Sequence, residues 1–216
     1  MRKITRRFFT RIGLTAGITG GLSSIVRAGY LSTLSPTPLE IEGPFYPVTA
    51  QKDKDFDLTK IAGKTGVAKG QAIIIEGRVL QTNGDPIEAA TVELWQANAA
   101  GRYSHPRDPN PAPLDPNFQG WAVVPSGQSG GFRFKTIFPG PYPAAQDWMR
   151  PPHLHFKVSK GGYVELITQM YFPGHELNET DRLLQRKGVA EQLLMIATAV
   201  PNKPNTYRYT IVLQTT

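Results

Sequence analysis

The sequence predicts a mainly β protein, an antiparallel β-sandwich with long loops and a short C-terminal helical segment. Three observations carry this. Short runs of alternating apolar and polar residues recur along the chain, separated by turn-forming clusters. Its 216 residues include 19 prolines and 21 glycines, which punctuate a chain too often for a helical bundle. One stretch alone, residues 179–199, "ETDRLLQRKGVAEQLLMIATA", carries helical character, with a break expected at Gly188. The length suits one domain with a real core, and no repeat at a period of 20 to 50 residues is visible.

The elements follow in order. Residues 31–70, rich in Pro, Lys and Asp, show little periodicity and read as an extended segment lying over the domain surface. The domain proper is expected to run from 71 to 216. Ala72 to Leu80 is a β-branched run, closed by the turn signal "TNGDP" at 82–86. Thr91 to Ala97 reads as a second strand. Residues 98–118, "NAAGRYSHPRDPNPAPLDPNF", form a loop long enough to suggest function. Trp121 to Pro125 and Gly131 to Phe138 are two further strands, with the glycine-rich stretch between them read as a hairpin turn. Residues 153–160 and 164–172 pair around Lys160-Gly161-Gly162, and residues 206–214 alternate as a closing strand.

The net charge of +7 invites a nucleic-acid reading, but its distribution argues against one. Residues 1–28 hold Arg2, Lys3, Arg6, Arg7, Arg11 and Arg27 and no acid; without these six, 18 basic residues stand against 17 acidic. The basicity belongs to the leader, and no nucleic-acid partner is expected. Residues 1–30 read as a signal peptide. They combine a positive start, a weakly apolar stretch from Ile12 to Val26 and small residues near Ala28. Thr5-Arg6-Arg7-Phe8-Phe9 resembles the twin-arginine motif of the route that exports folded proteins, so an exported protein is expected, periplasmic or extracellular. The apolar stretch is too short and interrupted to span a membrane stably. There is no cysteine, which excludes disulfides, thiolate catalysis and cysteine-ligated metals.

Two of the four histidines stand one residue apart in "RPPHLHFKV", residues 150–158. On a strand, His153 and His155 point to one face roughly 6 to 7 Å apart, while Leu154 and Phe156 face the other way. Alone, such a pair is more often a polar sheet face than a site. Its neighbours suit metal chemistry: Tyr142 is fixed between Pro141 and Pro143, and Tyr103 lies on the long loop. Two phenolates and two imidazoles favour a trivalent cation over a divalent one. A zinc site would add a carboxylate, which Asp115 or Asp147 could supply. A third pattern, Gly127-Gln128-Ser129-Gly130-Gly131, matches the serine-hydrolase form G-x-S-x-G. That motif needs a following helix, and the next residues alternate like a strand.

"WQANAAGRYSH", "LDPNF", "GFRFKTIFPGPYP", "RPPHLHF" and "ITQMYF", with "EGPFYP" at 42–47, occur in the order found in the intradiol ring-cleaving dioxygenases. Across residues 40–173 the chain resembles that family, and six motifs together are far more specific than any one. The resemblance implies a non-haem Fe(III) held by Tyr103, Tyr142, His153 and His155, with Tyr142 and His153 axial. It implies that a catechol-type substrate chelates the iron and displaces Tyr142. The ring then opens with O2 between the two hydroxyl-bearing carbons, giving a muconate-type diacid. By the same resemblance Arg150 stabilises developing charge and Gln169 belongs to the same pocket. It also implies a homo-oligomer or a related partner subunit. One group within the family resembles "PYPW" at the second tyrosine; Pro143-Ala144-Ala145 here implies a smaller pocket wall. The reading outside this class is a β-sandwich that binds a ligand without chemistry.

Overall fold

The computed structural model describes residues 33–216; the expected signal peptide lies outside them. The core is two four-stranded sheets packed face to face. The first contains β1 (Ala72–Gln81), β4 (Gly131–Ile137), β9 (Thr198–Ala199) and β10 (Thr206–Leu213), in the order β4-β1-β10-β9. The second contains β2 (Thr91–Trp95), β3 (Trp121–Pro125), β7 (His153–Ser159) and β8 (Leu166–Tyr171), in the order β3-β2-β7-β8. A hairpin of β5 (Tyr142–Ala145) and β6 (Trp148–Arg150) stands beside them. The second sheet is antiparallel throughout. In the first, β1 pairs antiparallel with β4 but parallel with β10, register Ile74 to Thr206. The chain's last strand thus closes the sandwich beside its first.

Alternation places the core. Ile73, Ile75 and Val79 of β1, Phe132 and Phe134 of β4, and Tyr209, Ile211 and Leu213 of β10 face Val92 and Leu94 of β2 and Leu154, Phe156 and Val158 of β7 in one buried cluster. Every second residue is apolar because one face of each strand must leave water. At about 25 cal/mol per Å2 of apolar surface, each such side chain contributes roughly 1.5 to 3 kcal/mol.

Three expectations change. Residues 126–130 are not a hairpin turn: β3 and β4 lie in opposite sheets, so the stretch carries the chain from one layer to the other. It is a tight turn (Gly130 N–H donates to Gly127 O, 2.8 Å), but the strands it joins do not pair. The helical stretch is much shorter than 179–199. Two 3-10 turns, Glu176–Glu179 and Leu184–Arg186, precede a single α-helix α1 (Val189–Met195). Gly188 is extended, so it caps this helix rather than breaking a longer one. Before it, the Asp181 carboxylate takes the N–H groups of Leu183 and Leu184, which a continuous helix would need for itself. Finally, the segment before β1 does more than lie on the surface. Thr37 and Glu40 N–H groups bond Val212 and Ile167 carbonyls, and residues 43–46 reach over the outer face of the second sheet.

Candidate metal centre and pocket

Strand register brings the site together. His155 of β7 stands opposite Trp95 of β2 and Gln169 of β8, and His153 stands opposite Tyr171. Since Leu154, Phe156 and Val158 point into the core, His153 and His155 point out of the sandwich, with Trp95, Gln169 and Tyr171 on the same face. That outer face is nevertheless buried. Phe45 and Tyr46 of the N-terminal segment, Tyr103 of the 98–118 loop and the β5–β6 hairpin roof it. His153, His155 and Tyr103 are each at most 3% exposed, and Tyr142 is 8% exposed.

The two tyrosines arrive on interlocked backbones. Gly101 has φ +78°, and a Cβ there would press on the Pro141 carbonyl. A Cβ at Gly140 would lie 2.5 Å from the Ala99 carbonyl oxygen. Only glycine permits this approach. Each glycine stands two residues before its tyrosine. The Asp108 carboxylate then fixes the first of them, accepting the Tyr103 N–H at 2.7 Å.

Around the centre, the Tyr103 and Tyr142 rings are perpendicular, 5.6 Å apart by centroid; Tyr142 lies 5.6 Å from His153, and His153 lies 5.0 Å from His155. The Tyr103 oxygen is 3.1 Å from His155 Nε2 and 3.4 Å from His153 Nε2. His153 Nδ1 lies 2.7 Å from the Pro151 carbonyl, which can only accept, so Nδ1 carries the proton and Nε2 presents a lone pair. Burial holds both imidazoles well below the usual histidine range, and the Arg150 guanidinium adds to this. Burial likewise pushes Tyr103 and Tyr142 above the usual phenol range. Protein groups alone therefore keep all four uncharged.

A metal cation fits this set. Two Nε2 atoms converge on one phenol oxygen while His155 Nδ1 is buried without a partner, so in either tautomer protein groups alone leave a His155 nitrogen unsatisfied. A cation in their midst would use both lone pairs and both phenol oxygens, and would draw off the phenol protons. Among the described residues no group of three or more His, Asp or Glu comes together in a way that could hold a metal. The zinc alternative thus lacks its carboxylate. Asp115 accepts the N–H groups of Lys69 and Asn117, and Asp147 pairs with Arg182 at 2.8 Å. The hydrolase alternative also fails on structure: Ser129 is exposed and leads directly into β4.

Beside the centre is a cavity of about 220 Å3, lined by Gly43, Phe45, Tyr142, Pro143, Ala144, Trp148, Arg150, His155 and Leu183 among others. It is smaller than the roughly 300 Å3 at which pockets for drug-sized ligands begin, and suits a single ring. Ala144 lines it, so the small residues after Tyr142 do form part of its wall. Arg150, paired with Tyr142 across the hairpin, is 4% exposed. Its Nε donates to Asp181 Oδ2 at 2.7 Å; its Nη2 donates to Gln169 Oε1 at 2.7 Å and to the Tyr171 hydroxyl at 2.9 Å. Gln169 Nε2 in turn donates to the Ile41 carbonyl.

All six residues singled out from the sequence, Tyr103, Tyr142, Arg150, His153, His155 and Gln169, therefore share one site. Trp95, Tyr171, Asp108 and Asp181 were missed. Strand alternation could have found the first two, since both lie on the histidine face of paired strands. Asp181 gave no signal, because it sits in a stretch that reads as ordinary helix.

Comparison with known proteins agrees with this geometry. Residues 41–215 match the model of a family described as dioxygenase. The chain is 42% identical over 170 residues to the protocatechuate 3,4-dioxygenase beta chain of Burkholderia cepacia, covering 75% of this chain and 72% of that one. It is 34% identical over 154 residues to catechol 1,2-dioxygenase 1 of Acinetobacter lwoffii, covering 65% of this chain but only 48% of that enzyme. The chain thus spans about half the length of such longer relatives. Among solved structures, the dioxygenase domain of a carbohydrate-binding fusion protein from Streptomyces sp. SirexAA-E superposes with a TM-score of 0.62 at 25% identity, over 84% of this chain and all of that one. With a family match over four-fifths of its length and a 42% identical relative, the chain belongs to the intradiol ring-cleaving dioxygenase family.

Proposed function

We propose that this chain opens a catechol-type ring between its two hydroxyl-bearing carbons, using O2, to give a muconate-type diacid. The observation that carries this is the Tyr103 oxygen held by two imidazole nitrogens inside a buried, ring-sized site. Tyr103, Tyr142, His153 and His155 would hold a ferric ion, since two hard anionic oxygens and two imidazoles suit a trivalent metal. Such an ion supplies Lewis acidity that ionises a chelated catechol and makes its ring electron-rich enough to meet O2.

The residues do the rest. A ring filling the cavity would displace water from it, which strengthens every charge interaction inside. The Tyr142 hydroxyl, whose hold on its proton burial strengthens, lies on the pocket wall and would take up a proton from a bound catechol there. Arg150 lies on the pocket and stays charged throughout, and it would stabilise negative charge developing on the ring and its oxygens. Gln169 braces that guanidinium at 2.7 Å. Ala144 and Pro143 leave room beside the ring for a small substituent.

The test is anaerobic addition of catechol to the purified iron-loaded protein, followed by oxygenated buffer. The expected result is a shift of the visible phenolate band, then a ring-opened diacid carrying both atoms of labelled O2. A product cleaved beside the diol would overturn the reading. We further propose export of the folded, metal-loaded chain through the twin-arginine route, on the strength of Arg6-Arg7 and the weakly apolar stretch after them. Replacing both arginines with lysine should trap the protein in the cytoplasm. Among the described residues no helix is long and apolar enough to cross a membrane.

A further inference from the structure

We infer that Asp181 is the positioning residue for Arg150, and that it ties the guanidinium to the wall of the substrate pocket. The inference rests on the function proposed above. Asp181 is 0% exposed, and its Oδ2 accepts from Arg150 Nε at 2.7 Å. Its other oxygen, Oδ1, is anchored to backbone: it accepts the N–H groups of Leu183 and Leu184 at 3.2 and 2.9 Å. Leu183 itself lines the pocket. One carboxylate thus joins a charged group on β6 to a loop 31 residues later, and both ends of that link line the pocket.

The geometry distinguishes this link from an ordinary ion pair. A guanidinium is planar, and contacts at both Nε and Nη2 fix its plane. Asp181 holds Nε, while Gln169 and Tyr171 hold Nη2. None of these three contacts uses Nη1, and Arg150 is itself part of the pocket wall beside Tyr142. Trp148 lies against the guanidinium, 5.5 Å from ring centroid to Cζ. Removing Asp181 would leave a buried cation with two neutral partners. Burial disfavours such a cation, and the plane would no longer be fixed by charge. A structural carboxylate would need only its backbone anchor. The Nε contact is the part that serves Arg150.

The variants are Asp181→Asn, Asp181→Glu, Arg150→Lys and the double variant Asp181→Asn with Arg150→Lys, all as iron-loaded full chains. Asparagine can still accept from the Leu183 and Leu184 N–H groups through Oδ1, but its amide N–H groups face those of Arg150. Asp181→Asn should keep iron and the visible band, bind catechol within about threefold of wild type, and slow the single-turnover reaction with O2 about 10- to 100-fold. Asp181→Glu keeps the charge but displaces it by one methylene, and should be slowed less than Asp181→Asn. In the Arg150→Lys background, Asp181→Asn should cost less than about twofold more, because the plane it fixes is already gone. Losses that multiply in the double variant, or an Asp181→Asn rate close to wild type, would overturn the inference. If Asp181→Asn does not fold, Asp181→Glu decides: an unchanged rate rejects the positioning role. A urea-unfolding cycle over wild type, Asp181→Asn, Arg150→Met and their double variant, in which methionine removes the cation, reads the coupling without any turnover. A shortfall of at least tenfold from multiplicative unfolding constants supports the link, and independent effects reject it. Wild-type protein that opens no catechol would sink the proposed activity, while the unfolding cycle would still decide the link.

Discussion

The indole of Trp95 lies flat against the imidazole of His155, with ring centroids 4.8 Å apart and planes 15° from parallel. The two are cross-strand partners on β2 and β7. His153 is oriented by a hydrogen bond from Nδ1 to the Pro151 carbonyl, but His155 Nδ1 is buried without a partner. Its ring is therefore held by the stack and by the Nε2 contact to the Tyr103 hydroxyl, with nothing at Nδ1. Trp95 is in turn braced by the edge of Tyr46, 5.0 Å away. Trp95→Ala should cost roughly 3 to 5 kcal/mol in stability and lower the iron content, while Trp95→Phe keeps a stacking face and should lose much less of both. Urea unfolding and iron per chain check this. Full iron occupancy in the alanine variant would mean that His155 does not depend on the stack.

The proposed ligands make a separate prediction. Tyr103→Phe keeps the ring and its packing but removes the oxygen shared by both histidines. It should fold, hold well under one iron per chain and lack the visible band. His155→Ala should do the same. Chelating the metal from wild-type protein should lower the unfolding midpoint, because a ligand that binds only the folded state stabilises it, by about 4 kcal/mol at a thousand times its dissociation constant. Unchanged iron and spectrum in both variants would reject the ligand set.

Residue pattern made the sandwich readable and left its sheet assignment hidden. Alternation in β1, β7 and β10 shows which side chains face the core, because period 2 is a property of each strand alone. Whether β3 hairpins with β4 is a contest between partners, and Val79 N–H taking the Gly130 carbonyl shows β1 winning it. The overlong helix has a similar cause: apolar spacing in 179–199 is helical, but Asp181 diverts two backbone donors to its own side chain. At the site, His153 and His155 were readable from spacing. The tyrosines gained meaning from the family motifs, and Asp181, acting only through Arg150, had no pattern to show.

Alkaline pH should unfold this protein through its buried phenols. Burial pushes Tyr171 and Tyr209 far above the ordinary phenol value of 10, and Tyr46, beside Glu93, is pushed up to about 12. The unfolded chain releases these protons near pH 10 and the folded chain retains them. Stability is thus fully present below pH 10 and is lost as pH rises through it, at about 1.4 kcal/mol per pH unit for each fully buried phenol. Tyr209 tests this well, because its hydroxyl is buried beside Thr168 without a well-formed hydrogen bond. Tyr209→Phe should leave stability at pH 7 unchanged or slightly raised and should flatten the decline between pH 10 and 12. Urea midpoints at pH 7, 10 and 11 read both effects. A decline equally steep in the variant would mean that Tyr209 ionises freely in the folded protein.

The glycines that interlock the two tyrosine-bearing segments should couple backbone fit to metal binding. Gly101 combines positive φ with close approach to Pro141, and Gly140 abuts Ala99 and Gly101. Alanine at Gly101 meets both the left-handed penalty and the steric one, each of order 1 to 2 kcal/mol; alanine at Gly140 meets the steric one against rigid backbone. The segments must then separate, and the separation falls between Tyr103 and Tyr142, the two tyrosines proposed to share one ion. Gly101→Ala and Gly140→Ala should therefore lose stability and iron together. Gly161, in the β7–β8 turn, has nothing within 4 Å of its added Cβ and serves as the control. Gly161→Ala should change neither quantity. Urea midpoints and iron per chain, measured on the three variants after identical loading, decide the matter. A Gly101→Ala protein that is destabilised yet fully iron-loaded would show that the two tyrosines are placed by their own packing, and not by the backbone contact between them.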